Sequence, residues 1–267
     1  MMADILRRSL APISEQAWKE IDETASEIIK AQLTARRLVD CNGPHGWEMG
    51  AVNLGHLKIS KTKTKEGVGW GLREVLPFTE IRVAFHLDLM ELDSISRGAR
   101  DADLGPLEKA AGKVAVFEET AIYKGFAGGK IQGILQASPH KPLQLPPECV
   151  ECPKLVAEGI RLLKESGIGG PYALVLGTKT YHELIGSTKG YPTYRVVERM
   201  AEGGIYSSRA LEGGVILSVR EGDFELTLGQ DISIGFASAD KEKVELYFAG
   251  SFTFRVLEPA AAIELKA

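Results

Sequence analysis

An α+β fold with two lobes and a protruding hairpin is predicted by three features of this 267-residue chain. Near its C-terminus, four short runs alternate apolar and polar residues: FELTL at 224–228, DISIGF at 231–236, VELYF at 244–248 and SFTFRV at 251–256. Each run so built buries one face and wets the other, as in a twisted antiparallel sheet. Stretches 14–39 and 103–123 instead repeat apolar residues at strides of three and four, the period of an amphipathic helix. Between 153 and 219 helical and extended segments alternate, which predicts a compact α/β lobe.

Taken in order, Ser14 is placed as an N-cap, after which Trp18, Ile21, Ala25, Ile28 and Gln32 share one face of a helix ending near Val39. From 51 to 73 the pattern becomes a hairpin: Leu57 and Ile59 alternate with polar residues, Lys61, Lys63 and Lys65 follow on one side, and Glu66 with Gly67 makes the turn. A hairpin this poor in apolar surface does not stand alone in water, so it needs something to lie on. In the 103–123 helix, Leu107, Ala110, Val114, Phe117 and Ala121 form one face and Gly125 supplies the C-cap. At 138–148, SPHKPLQLPPE gathers four of the 12 prolines; neither helix nor ladder runs through such a segment, and a domain boundary is placed there. Beyond it come a helix at 153–166, a turn at 167–171, the strand YALVL at 172–176, helices around 179–185 and 193–201, and the buried strand VILSV at 215–219. The closing strands at 224–256 follow. The predicted divisions are 1–48 for the N-terminal helix and arm, 49–74 for the hairpin, 75–137 for the first part of the helix-on-sheet lobe, 138–222 for the α/β lobe and 223–267 for the closing strands.

Composition narrows the function. With 44% hydrophobic and 25% charged residues the chain is ordinary for a globular protein, and no apolar run approaches the roughly 20 residues of a membrane span. The opening MMADILRRSLAPIS has no continuous apolar core and does not read as a secretory signal, which predicts a cytoplasmic protein. A net charge of −4 argues against nucleic-acid binding, which clustered Lys and Arg drive by counterion release. Three cysteines, Cys41, Cys149 and Cys152, agree with a reducing compartment. Cys149 and Cys152 form a CxxC ahead of a helix, whose end amides can lower a thiol pKa; without further ligands the pair reads as two thiols in a loop, not a metal or redox centre.

No catalytic constellation is legible. His45, His56, His86, His140 and His182 are scattered, none in a pair spaced for metal binding. Neither GxSxG nor GxxxxGK[ST] occurs, and Gly67, Gly69 and Gly71 belong to the hairpin, where they miss the GxGxxG spacing. Acidic groups such as Asp88, Glu91 and Asp93, or Glu118 and Glu119, read as solvated faces or intersubunit salt links. The prediction is a non-enzyme with no metal and no cofactor.

Four segments carry a resemblance: RRSLAPISEQAWKEID at 7–22, VDCNGPHGWE at 39–48, LGQDISIGF at 228–236 and SFTFRVLEPAA at 251–261. In this order and with no large gap, they resemble the encapsulins, prokaryotic shell proteins that assemble into icosahedral compartments around cargo enzymes. The resemblance implies the fold of tailed-phage major capsid proteins: a peripheral domain with a spine helix at 103–123 on an antiparallel sheet, an extended loop at the hairpin reaching over a neighbouring subunit, and an α/β axial domain at 138–222. It also implies partners: the chain itself, in a closed shell of about sixty copies, and a cargo protein bearing a C-terminal targeting peptide. That cargo is commonly a ferritin-like iron oxidase or a dye-decolorising peroxidase.

Residue by residue, the resemblance places a cargo-peptide groove at Ile28, Ile29, Leu33, Arg36 and Asp40 on the helix side, with Asp231 and Ile234 opposite. There, apolar side chains of the peptide are expected to be buried while Asp40 or Asp231 pairs with its Lys or Arg. It places a pore loop at Ser187, Thr188, Lys189, Gly190, Tyr191 and Pro192, where a ring of Lys189 would favour anions. Some encapsulins stack a flavin on a Trp; Met90 stands at that place here, with Arg82 nearby in sequence, and a thioether offers no flat face, so no flavin is expected. A viral major capsid protein of the same fold is the rival reading, disfavoured by the acidic balance and the groove match. Proteolytic or bacteriocin activity has neither a nucleophile–base pair nor a basic amphipathic segment behind it.

Overall fold

Ser14 caps the first helix, its hydroxyl accepting the Ala17 N–H at 3.2 Å, in the computed structural model of the chain, which describes residues 5–188 and 191–267. Helix α1 (Glu15–Gln32) buries Ala17, Ile21 and Ala25 and ends earlier than the expected Val39. The cause is a carboxylate: Thr34 Oγ1 and Ala35 N–H both donate to Glu119, each at 2.6 Å. The donor that would have continued the helix is taken by a side chain, and a short 3-10 turn, Ala35–Arg37, follows.

Strand β1 (Asp40–Asn42) leads to the hairpin of β2 (Ala51–Ile59) and β3 (Gly71–Pro77), a two-stranded sheet by itself. Gly67, at φ 81°, turns it, as the sequence predicts. The 20-residue spine α3 (Gly105–Lys124) follows β4 (Thr79–Asp88) and α2 (Leu89–Ser96). It stops at Gly125, with φ 87°, where a Cβ would meet Gln136 and Gly133, so only glycine fits the turn into α4 (Ile134–Ala137).

The closing alternations build the first sheet with one correction. The runs at 244–248 and 251–256, expected as two strands, are a single strand, β11 (Lys243–Val256). One side of β11 pairs with β4, which sequence reading had not assigned as a strand; the other pairs with β10 (Ser233–Ala239) and then β9 (Phe224–Leu228), to which β1 adds in parallel. Leu246, Phe248, Phe252 and Phe254 share one face of β11 and are essentially fully buried, with Phe252 meeting Phe117 of α3 edge-on; burying each aromatic side chain contributes about 1.5–3 kcal/mol.

A second five-stranded sheet, in the order β5-β12-β8-β6-β7, holds the other lobe. It comprises β5 (Leu143–Gln144), α5 (Cys152–Glu165), β6 (Tyr172–Gly177), α6 (Thr178–Gly186), α7 (Thr193–Met200), β7 (Ile205–Ser208), β8 (Gly214–Ser218) and the C-terminal β12 (Ala262–Lys266). The last strand pairs with β8 and β5. The segment 223–267, expected to close the first lobe, therefore divides between the two sheets. Buried Ala262, Ile263 and Leu265 supply the apolar contact that draws β12 across.

Cys149 and Cys152 lie buried and unbridged in this second lobe, with Sγ atoms 3.2 Å apart. Burial raises both thiol pKa values, the reverse of the lowering a helix start would give. Among the described residues no helix is long and apolar enough to cross a membrane, and no group of three or more His, Cys, Asp or Glu is placed to hold a metal ion.

Candidate functional site: a cleft between the first helix and an open sheet edge

Residues four apart on a helix lie one above another, and Ala25, Ile29 and Leu33 use that row as one wall of a cleft of about 580 Å³. The facing wall is Ile232, just before β10, with Ser233 and Ile234 at the start of that strand and Phe248 of β11 behind it. Leu6 closes one end. The N-terminal arm holds Leu6 there: its carbonyl accepts the Phe236 N–H at 2.8 Å, and the Ile5 carbonyl accepts Tyr247 Oη at 3.4 Å. Arg8 anchors the arm by stacking 3.9 Å over Trp18 and pairing both terminal nitrogens with Asp22, at 3.0 and 2.6 Å.

A charged lock sits at the other end. Arg36 donates Nε and Nη2 to Glu118 at 2.6 and 2.7 Å and Nη1 to Asp231 at 2.8 Å. It thereby joins the turn after α1, the spine helix and the loop before β10. Burial works against the arginine's charge, yet the hydrogen bond and charge of Glu118, seconded by Asp231, hold its pKa above the ordinary arginine value. Next to Glu118, Glu119 is also buried. Ser208 Oγ donates to it at 2.6 Å, so this carboxylate ties the spine to the second lobe as well as to the end of α1.

Of the seven residues expected here, Ile29, Leu33, Arg36, Asp231 and Ile234 line the cleft. Ile28 and Asp40 do not. Ile28 is one residue, and so about 100°, around the helix from Ile29 and lines a separate hollow with Gln32, Gly112, Val116 and Phe117. Asp40 Oδ2 accepts the Gly222 N–H at 2.7 Å and so tethers the turn before β9. Asp231 spends Oδ1 on Arg36 and on the Ile232 N–H, which leaves Oδ2 without a hydrogen bond among the described residues. Sequence reading missed Ala25, Phe248 and the Leu6 arm; the Ala25–Ile29–Leu33 row was legible, the arm's contact across the chain was not. It also missed the cleft's cations outside any ion pair among the described residues, Lys30 and Arg37.

The other two expected sites are less complete. Ser187, Thr188, Tyr191 and Pro192 form a tight loop between α6 and α7, closed by a bridge between Thr188 and Pro192 and by Thr193 N–H to the Ser187 carbonyl at 3.1 Å. Lys189 and Gly190 of this loop lie outside the described residues. Met90 is 69% exposed in the first turn of α2, and the Arg82 guanidinium lies 3.5 Å over the Tyr247 ring. With a thioether at one position and an engaged guanidinium at the other, the pair offers no stacking platform for a flavin.

The family described as "Encapsulating protein for peroxidase" matches residues 2–253. A type 1 encapsulin shell protein of Rhodospirillum rubrum is 40% identical, over 98% of this chain and 96% of its own length. Another from Mycolicibacterium paratuberculosis is 39% identical, over 97% of this chain and 98% of its own. The fold resembles that of a virus-like particle from Pyrococcus furiosus, with TM-score 0.64 at 14% identity over 92% and 97% of the two chains. It also resembles the capsid of Myoviridae phage XM1, with TM-score 0.53 at 13% identity over 88% and 92%. These last two establish a capsid-like architecture, while the curated relatives discriminate between phage capsid and compartment. The chain thus belongs to the type 1 encapsulin shell proteins, which are structural proteins and not enzymes.

Proposed function

We propose that copies of this chain close into an icosahedral shell of about sixty subunits in the cytoplasm, and that the cleft between α1 and β10 receives a C-terminal targeting peptide of the enclosed enzyme. The observation that carries the assembly is the hairpin. Leu57, Ile59, Val68, Trp70 and Leu72 are all exposed on it, Ile59 at 73%, and an apolar surface of this kind marks a protein interface. In the assembly it serves as the extended loop at 49–74, laid over a neighbouring copy; 75–137 and 223–256 make the peripheral domain, and 138–222 with the last strand makes the axial domain.

For the cargo, the apolar cleft walls and the spare Asp231 Oδ2 support binding of an extended peptide with apolar side chains and one basic group. A peroxidase is the enzyme the family description names, and a ferritin-like iron oxidase is the second candidate; mass spectrometry of proteins that co-purify with native particles decides between them. Replacing Ile29 by Asp puts a charge on the cleft wall and leaves the shell surfaces untouched. Loading of a peptide-tagged reporter then falls to background while particles still form; loading at the parental ratio refutes the site. For the pore, Lys189 is proposed to face the channel, and comparing anion and ferrous-ion entry in shells of the parent and of Lys189→Glu tests it.

A further inference from the structure

We infer that the guest peptide binds as an added β-strand on the open edge of β10, hydrogen-bonded through its backbone to Ile234, and does not merely rest its side chains in the cleft. The inference rests on the cleft being the cargo site and adds how the site is read.

Strand β10 pairs on one side only, with β11. Phe236 N–H donates outward, away from β11, to the Leu6 carbonyl at 2.8 Å. Antiparallel ladders alternate inward and outward pairs, so the N–H and C=O of Ile234, two residues earlier, face the same open side. The chain's own arm thus shows that this edge takes extended backbone from outside the sheet. It uses only the far part of the edge, leaving the part that borders the cleft.

Native sheets guard their edges with bulges and coverings, and β10 is guarded unevenly. A register shift between Phe236 and Ser238 kinks its far half, where the arm also lies. Residues 233–236 run in unbroken register with β11, and Ser233 and Ile234 among them face α1 across the cleft. A strand added about 4.8 Å from β10 lies between the edge and the helix. Every second side chain of that strand points at the floor made by Ile29, Leu33, Ile234 and Phe248, and the intervening ones point away. The occupant that fits is an extended peptide of another protein with apolar residues at alternate positions, held by main-chain bonds for affinity and by pockets for specificity.

The test uses assembled shells and a fluorescent synthetic copy of the C-terminal segment of the protein that co-purifies with native particles. Variants of this peptide each carry one N-methylated amide. Strand addition at Ile234 predicts a loss confined to one position: methylation of the amide that donates to the Ile234 carbonyl weakens binding about tenfold or more, as expected for a lost, desolvated hydrogen bond, while methylation of the other amides has less than about a twofold effect. Uniform tolerance, or losses spread over several amides, overturns strand addition and leaves the cleft standing as an apolar pocket. Failure of the unmethylated peptide to bind overturns the cleft as the cargo site and strand addition with it. Slowed amide exchange at Ile234 on binding of the parent peptide is the matching signature on the shell side, and unchanged exchange there counts against the inference.

Discussion

The hairpin and the cleft both show apolar side chains to solvent, and they differ in what holds them. Around the cleft, Arg36 bonds to carboxylates on the spine and before β10, the arm is clamped by Arg8, and Glu119 ties in the second lobe. The walls are fixed before any guest arrives. The hairpin has its own ladder and turn bonds, and among the described residues no ion pair or side-chain hydrogen bond fastens it to the body. A preformed cleft loses little conformational entropy on binding, whereas under the proposed assembly a hairpin held only by its own ladder would gain its order from the neighbour that covers it. The contrast is between a surface whose walls are fixed within the subunit and one fastened to the body by no side-chain bond among the described residues.

The sharpest way to break the comparison is to make the hairpin polar. Replacing Leu57, Ile59 and Leu72 together by Asp should abolish particles in light scattering and electron microscopy, because the change falls on side chains that are more than half exposed. Surface positions of this sort change subunit stability by about 0.5 kcal/mol or less each, so the dissociated subunit keeps its circular dichroism spectrum. Particles of normal size from this variant would show that closure does not run through the hairpin.

In that dissociated background the cleft's lock can be weighed. Arg36→Met leaves Glu118, of which 1% is exposed, buried without a counter-charge, a loss of about 3–5 kcal/mol. The double change Arg36→Met with Glu118→Leu recovers most of it, since apolar replacement of a buried pair is often neutral. Denaturant unfolding followed by tryptophan fluorescence reads both; a single variant within about 1 kcal/mol of the parent would mean the lock positions Asp231 without stabilising the wall.

Glu119 gives a smaller, pH-dependent effect. Burial raises its carboxyl pKa, against the pull of the bonds from Ser208, Thr34 and the Ala35 N–H. A carboxyl that ionises less readily folded than unfolded contributes stability in acid, below its unfolded pKa, and that contribution is lost as pH rises through the folded value. Glutamine cannot ionise, so Glu119→Gln should cost on the order of 1 kcal/mol in acid, and the deficit should shrink as pH rises past the folded pKa. Unfolding curves at a series of pH values check the sign; a deficit that grows with pH would mean the hydrogen bonds outweigh burial.

How legible these regions were follows from the range of the interactions that make them. The hairpin turn at Gly67, the cap at Ser14 and the stop at Gly125 are local, and each was readable from the residues in place. The merging of two expected strands into β11 was readable in principle. Val244, Leu246, Phe248, Phe252, Phe254 and Val256 keep one phase across Gly250, and a turn would have broken it. The early end of α1 was not readable, because its cause is a carboxylate more than 80 positions away on the spine. Nor was the crossing of β12 to the second sheet, since Ile263 and Leu265 alternate no differently from the strands before them. At the cleft, resemblance named α1, whose Ile29 lines the cleft, but could not choose between adjacent Ile28 and Ile29. That choice depends on helix rotation, which the packing of α1 on α3 settles.

The faintest expected effect concerns the cleft rim. Asp40 is spent on Gly222 and Asp231 is half spent on Arg36, so the charges left outside ion pairs beside the cleft are mainly cationic, Lys30 and Arg37. Arg37 Nη2 donates to the Lys30 carbonyl at 3.1 Å, which seats both near the C-terminal end of α1. With the cleft as the proposed cargo site, a guest carboxylate, side-chain or terminal, at that end would gain from them. Lys30→Glu should weaken binding of the co-purified cargo's C-terminal peptide by about 0.2–1 kcal/mol at low salt and by less at high salt. Amidation of the peptide's terminus should remove most of that difference in a double-mutant cycle; an equal penalty for the amide would place the peptide's terminal carboxylate away from Lys30.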